Sequence, residues 1–203
     1  MIAEKTIIEK LKELKEKSKK RKFIQTVELI VVFSQKVDTK DLKSKLQYIT
    51  LPYYENSKVI VIREVAKKEN EISIKEIEEM AKSKRLPRKF ANSYDFALAE
   101  QKLLPIIGKL IGKYLAVRGK MPIAIKDEKK VEEEIEKLKK SVKINIKQNQ
   151  IQLKVGKENL ENEKLAKNIL SAIEQIISQL PRKERDIKKI MIKLTMSKPV
   201  KLY

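Results

Sequence analysis

The first recurrence of apolar residues is helical. Ile7, Ile8, Leu11 and Leu14 share one face, so an amphipathic helix opens the chain. The basic run Lys17 to Lys22 follows, and Phe23 to Phe33 reads as a long strand rich in β-branched residues. Leu46 to Thr50 reads as a second strand, ended by Leu51-Pro52. The pattern then changes. The short apolar strands Lys58 to Ile62 and Phe96 to Ala99 alternate with helices over Ile74 to Lys84, Leu103 to Leu115 and Val131 to Lys140. Such alternation predicts a parallel α/β unit. The last third returns to period two. Val142, Ile144 and Ile146 point one way, and Ile151, Leu153 and Val155 do the same beyond a Gln148-Asn149 turn. A helix over Glu163 to Leu180 and a final strand carrying Ile190, Ile192 and Leu194 complete the set.

Both ends of the chain therefore predict antiparallel α+β structure, and the middle predicts α/β. The simplest fold is one discontinuous domain, residues 1–54 plus 142–203, with a second domain, residues 55–141, inserted in it. Charge separates the segments in the same way. The ends together carry a net +14 and the middle +6, out of a total of +20. With 41% hydrophobic residues the chain can fold around cores and still present a positive surface. A positive surface favours a polyanion partner with salt-dependent affinity. An anionic membrane would need bulky apolar residues opposite a lysine face on a helix, and no segment shows this clearly, so no membrane partner is expected.

The chain has no cysteine and no histidine. Disulfides, Cys/His zinc sites, a cysteine nucleophile and a Ser-His pair are excluded. No catalytic, cofactor or metal residue is assigned. Gly108-Lys109-Leu110-Ile111-Gly112 is neither a dinucleotide fingerprint nor a Walker loop, and reads as small residues allowing close helix packing before a turn at Arg118-Gly119. Glu132, Glu133, Glu134 and Glu136 stand among lysines, the pattern of a solvated helix face with ion pairs. The N-terminus lacks an apolar signal core and no run approaches a membrane span, which predicts a cytoplasmic protein.

Two basic clusters are candidates for RNA contact. In the first, Lys19 to Lys22 offer charge to phosphates, Phe23 can stack at an RNA surface, and Gln25, Thr26 and Glu28 offer hydrogen bonds. The alternative is a solvated helix end and a strand whose Phe23 is core. In the second, Lys143, Lys147, Lys154, Lys189 and Lys193 alternate with apolar residues and should share one sheet face. The alternative is an ordinary wet sheet face. That face carries no aromatic residue, so it suits backbone and shape recognition of folded RNA better than base stacking.

Four stretches carry a family resemblance: Lys22 to Glu28 (KFIQTVE), Tyr94 to Pro122, Val155-Gly156-Lys157, and Thr195 to Val200 (TMSKPV). In order and spacing the chain resembles the L-one family of large-subunit ribosomal proteins, archaeal type. The resemblance implies an α/β fold, with a split β-α-β domain built from both termini and an inserted Rossmann-like domain. It implies no enzyme activity and no cofactor. It implies binding to the stalk region of 23S ribosomal RNA beside the tRNA exit site, contact with tRNA there, and repression of translation through the protein's own messenger RNA. It also implies a monomer off the ribosome. The RNA-binding residues would be Lys22, Phe23, Gln25, Thr26, Glu28, Lys154, Lys157, Lys189, Lys193, Thr195, Met196 and Ser197. Departures from the family pattern are Ser197 for a glycine, Tyr53-Tyr54 after Leu51-Pro52, and Ala116-Val117 before Arg118-Gly119. A transient ribosome-assembly factor of the same family is the alternative, and a nucleotide-using Rossmann-like enzyme a remote one.

Overall fold

In a computed structural model the chain forms two compact units, Met1–Glu55 with Lys140–Tyr203, and Asn56–Lys139. The structure describes residues 3–34, 42, 46–54, 57–65, 70–125 and 130–203.

The first unit is built on a five-stranded antiparallel sheet. Its strands are β1 (Thr26–Phe33), β8 (Asn145–Lys147), β9 (Gln150–Lys157), β10 (Ile187–Leu194) and β11 (Val200–Lys201), in the order β11-β10-β1-β9-β8. Two helices pack on one face, α1 (Glu4–Lys17) and α6 (Asn162–Gln179). The apolar period of each element explains the layer. Ile7, Leu11 and Leu14 of α1 and Leu165, Ile169, Ile173 and Ile176 of α6 meet Val27, Leu29, Val31, Ile151, Leu153, Ile190 and Ile192. Removing this much apolar surface from water is the main force holding the unit together. Gly156 lets the sheet and α6 approach closely, because a Cβ there would stand 2.6 Å from Leu165 Cδ2. At the opposite end of β9, Gln148 turns the β8–β9 hairpin at φ 50.

Strand β1 begins at Thr26, three residues later than the sequence predicts. Phe23 and Ile24 precede it and are 54% and 59% exposed. The ladder can start only at Thr26, the first residue paired across to Lys157. Phe23 is therefore not a core residue. The predicted strand over Val142 to Ile146 is divided in two. Strand β7 (Ser141–Lys143) pairs with β2 (Tyr48–Thr50) in a separate two-stranded sheet, and only β8 joins the large sheet. Lys143 consequently does not share the face of the other four lysines.

Two amides of α6, seven residues apart, hold the segment after β2. Gln175 donates to Thr50 O at 2.7 Å and accepts from Thr50 N at 3.2 Å. Buried Asn168 accepts from Tyr53 N at 2.9 Å and donates to Tyr53 O at 3.2 Å and Val155 O at 2.8 Å. The Leu51-Pro52-Tyr53-Tyr54 departure thus sits in a backbone turn fixed by side chains.

The second unit has four parallel strands, β3 (Val59–Arg63), β4 (Glu71–Ser73), β5 (Phe96–Glu100) and β6 (Ile123–Ile125), in the order β4-β3-β5-β6. Helices α2 (Ile74–Ala81), α3 (Leu86–Ser93) and α4 (Leu104–Val117) cover one face, and α5 (Val131–Lys139) the other. A sheet buried on both sides explains why β3 and β5 read as continuous apolar runs. Close helix packing does not account for Gly108, since a Cβ there would meet nothing within 4 Å. The turn at Gly119 is as predicted. It takes φ 58, and Gly119 N and Lys120 N donate to Ala116 O and Leu115 O, which closes α4 in a Schellman motif.

Candidate nucleic-acid interface

The face of the large sheet away from the helices is set by register. Glu28 pairs with Lys193 on one side and Lys154 on the other, Ile30 with Met191 and Gln152, and Val32 with Lys189 and Gln150. Lys147 extends the last row through Gln150. Lys147, Lys154 and Lys189 are exposed, and Lys193 and Glu28 are half-buried. The Lys193 Nζ to Glu28 Oε2 distance is 3.9 Å. One carboxylate between two strands of lysine spaces the cations without neutralising the face. Ile30 lies on this face yet is only 8% exposed. Its neighbours on β9 and β10 cover it, so what the face presents is mainly cations, suited to the phosphate backbone.

At the start of β1 the face ends in a stitched turn. Thr26 N donates to the Thr195 hydroxyl at 3.1 Å, and Thr195 N donates to Thr26 O at 3.1 Å. The Thr195 hydroxyl also reaches Thr26 O at 3.3 Å. Met196 N donates to Gln25 Oε1 at 3.2 Å. The Ser197 hydroxyl accepts from Leu194 N at 2.8 Å and donates to Lys198 O at 3.1 Å. Among the described residues only Gln148 and Lys183 combine a side chain with positive φ, so Ser197 needs no glycine-like backbone. Its hydroxyl is spent on its own turn.

Phe23 and Met196, 54% and 61% exposed, are therefore presented beside each other's elements on a fixed frame. Lys22 and Lys157 are exposed next to them, and Lys157 faces Thr26 in the ladder. Gln25 is a correction. Expected to offer hydrogen bonds outward, it is 1% exposed. It follows the exposed pair Phe23-Ile24 and turns in under the terminal segment, where its amide oxygen holds Met196. Its backbone is held in turn by Glu158, which donates from N to Gln25 O at 2.8 Å and accepts from Gln25 N through Oε2 at 3.3 Å. Sequence reasoning passed over Glu158, because nothing in a Lys-Glu pair after a strand marks a side chain that reaches back 133 residues.

Among the described residues no group of His, Cys, Asp or Glu could hold a metal ion, and no helix is long and apolar enough to cross a membrane. An exposed cationic sheet face beside a terminal turn fixed by side-chain hydrogen bonds is the kind of surface that attracts a polyanion. The pattern of the Ribosomal protein L1p/L10e family matches residues 14–198, and the chain belongs to that family. It is 38% identical to large ribosomal subunit protein uL1 of Thermococcus kodakarensis, across 97% of this chain and 96% of that one. It is 32% identical to the uL1 protein of Thermofilum pendens, across 100% and 95%. It is 31% identical to that of Methanocaldococcus jannaschii, across 97% and 94%. The family is one of ribosomal proteins and not of enzymes, so the reading as a nucleotide-using enzyme falls.

Proposed function

We propose that this chain is a structural component of the large ribosomal subunit that binds the stalk region of 23S ribosomal RNA near the tRNA exit site. There it aids release of deacylated tRNA. By binding a similar fold in its own messenger RNA it also represses its own translation. The observation that carries the reading is the junction of the lysine-flanked sheet face with the Thr195 to Ser197 turn at one end of a rigid sheet. Lys154, Lys157, Lys189 and Lys193 take phosphates, while Phe23, Thr26, Glu28, Met196 and the turn backbone fit the fold they bind. Gln25 acts by positioning Met196.

The test is affinity for a stalk fragment of 23S ribosomal RNA against an unrelated hairpin of equal length, over a salt series. Preference for the stalk that persists at high salt supports recognition of a fold. Affinities that are equal and fall together with salt would reduce the protein to a general polyanion binder. The messenger branch is tested separately, by adding the protein to a translation reaction programmed with its own messenger. Unchanged synthesis would remove repression from the reading.

A further inference from the structure

A second basic feature begins where the terminal turn ends. A groove of about 740 Å³ lies between α1 and the segment Met196 to Lys201. Six cations line it: Lys10, Lys17, Lys19, Arg21, Lys198 and Lys201. Its one carboxylate is Glu13. Met196 and Ser197 form part of the same wall, so the groove continues directly from the interface described above.

The bland explanation covers only part of this. Lysines in the last turn of a helix are favoured by its dipole, which accounts for Lys17. Lys19, Arg21, Lys198 and Lys201 lie outside any helix, and Lys10 is in mid-helix. Five of the six cations therefore have no dipole reason to gather, and such a cluster attracts a polyanion. Glu13 offsets the charge in part. It accepts from Lys10 Nζ at 2.7 Å and from Lys17 Nζ at 2.6 Å. These two hydrogen bonds hold its carboxyl at about 2, well below the usual carboxylate range. Glu13 thus stays ionised at any working pH and occupies two of the six cations.

We propose that this groove carries the sugar-phosphate backbone of bound RNA beyond the sheet end, with Lys198 and Lys201 on its outer wall and Glu13 standing where a phosphate would otherwise neutralise Lys10 and Lys17. The proposal rests on the reading of the sheet end as an RNA interface. It adds a phosphate-binding track and an internal acidic group that limits its strength.

The two walls make predictions of opposite sign. The experiment is anisotropy titration of a labelled 23S stalk fragment with the whole chain, over a salt series. The variants are Lys198→Gln with Lys201→Gln, Glu13→Gln, and a charge-matched control in the other unit, Lys84→Gln with Lys89→Gln. All four lysines are exposed, so folding is not at risk. Loss of Lys198 and Lys201 should weaken binding and reduce the slope of log affinity against log salt by about 2, roughly one per phosphate contact. Glu13→Gln should tighten binding and steepen the slope, because Lys10 and Lys17 become free to pair with phosphate. The control should leave the slope unchanged. If the first variant's slope matches the wild type while the wild type still prefers the stalk fragment, the groove is not a track. If Glu13→Gln weakens binding, the role given to Glu13 is wrong. If the wild type shows no preference for the stalk fragment, the interface itself fails, and the groove with it.

Discussion

Phe23 and Thr195 sit within one end of the sheet but do different work, and substitution should separate them. Phe23 is exposed and precedes the ladder, so Phe23→Ala removes little from the fold. It should weaken RNA binding by about 1–3 kcal/mol, the usual cost of one specific contact, while leaving the melting temperature unchanged. The Thr195 hydroxyl closes the ladder beyond Leu194. Thr195→Ala should therefore cost about 1 kcal/mol of stability as well as affinity. A calorimetric melt beside each binding titration checks both. Equal effects on stability would show that Phe23 is structural after all. Tyr94 gives a pH test in the other unit. It is 1% exposed, donates to Lys120 O at 3.3 Å, and burial pushes its hydroxyl above the usual phenol range. In the unfolded chain it ionises near pH 10.0, so the folded form keeps a proton that the unfolded form loses. The stability linked to Tyr94 is complete below pH 10 and falls as pH rises beyond it. Tyr94→Phe should cost about 1 kcal/mol at pH 8, and the gap to wild type should narrow or reverse at about pH 11. Lysines titrate in both proteins, so the difference in urea unfolding isolates Tyr94. A gap that widens with pH would overturn the sign.

Elements with a clear apolar run or period were readable from the sequence, down to the five-residue strands β3 and β5 and the nine-residue helix α5, and those without one were not. Helices α1, α4 and α6 run 14, 14 and 18 residues, and each carries several turns of apolar spacing; α4 and α6 were placed to within about two residues, and α1 was expected around Ile7 to Leu14 without stated bounds. Helix α3 was missed. It has eight residues, Pro87 near its start, and its period is carried by Pro87, Phe90 and Ala91 alone. Strands β4, β6 and β11 have three, three and two residues, too few for alternation to show. The division of β7 from β8 was invisible for another reason. Val142, Ile144 and Ile146 alternate without a break, and only the change of pairing partner separates them. Most of the candidate site followed from strand register, because alternate residues fix a face. The inward turn of Gln25, the role of Glu158 and the gathering of Lys19 and Arg21 with Lys198 and Lys201 did not, because these contacts cross large stretches of sequence. The amides of α6 were hidden in the same way. Asn168 is fully buried and supports both polar groups of the Tyr53 peptide and Val155 O. Asn168→Leu keeps the size of the side chain but leaves buried backbone groups unpaired, and should cost about 2–3 kcal/mol. Asn168→Asp keeps an acceptor for Tyr53 N but sets a buried carboxylate against the Tyr53 and Val155 carbonyls, and should cost at least as much as leucine. Chemical unfolding of the three proteins tests this order, and a leucine variant as stable as wild type would mean that water replaces the amide.

At the scale of the molecule, the sheet explains why both ends of the chain belong together. Strand β1, from the N-terminal third, lies between β9 and β10, from the C-terminal third. Neither end can bury its apolar face alone, since Val27, Leu29 and Val31 need both neighbours and α6 to cover them. The two crossings into the other unit leave from adjacent points. Thr50 pairs with Ser141, and Leu51 N donates to Lys140 O at 2.9 Å. A short Gly-Ser linker can therefore replace the whole of the second unit without stretching either strand. The prediction is that residues 1–54 joined in this way to residues 140–203 fold cooperatively and keep most of the affinity for the stalk fragment. The reason is that the unit contains its own core, every proposed contact residue from Lys22 to the terminal turn, and the Gln25 that positions Met196. The isolated second unit should bind weakly and without preference, with the salt dependence of a modestly basic surface. Circular dichroism melts establish folding, and the same titration establishes binding. A folded but inactive first unit would mean that the RNA needs both units at once. Specific binding by the second unit alone would move the interface away from the sheet altogether.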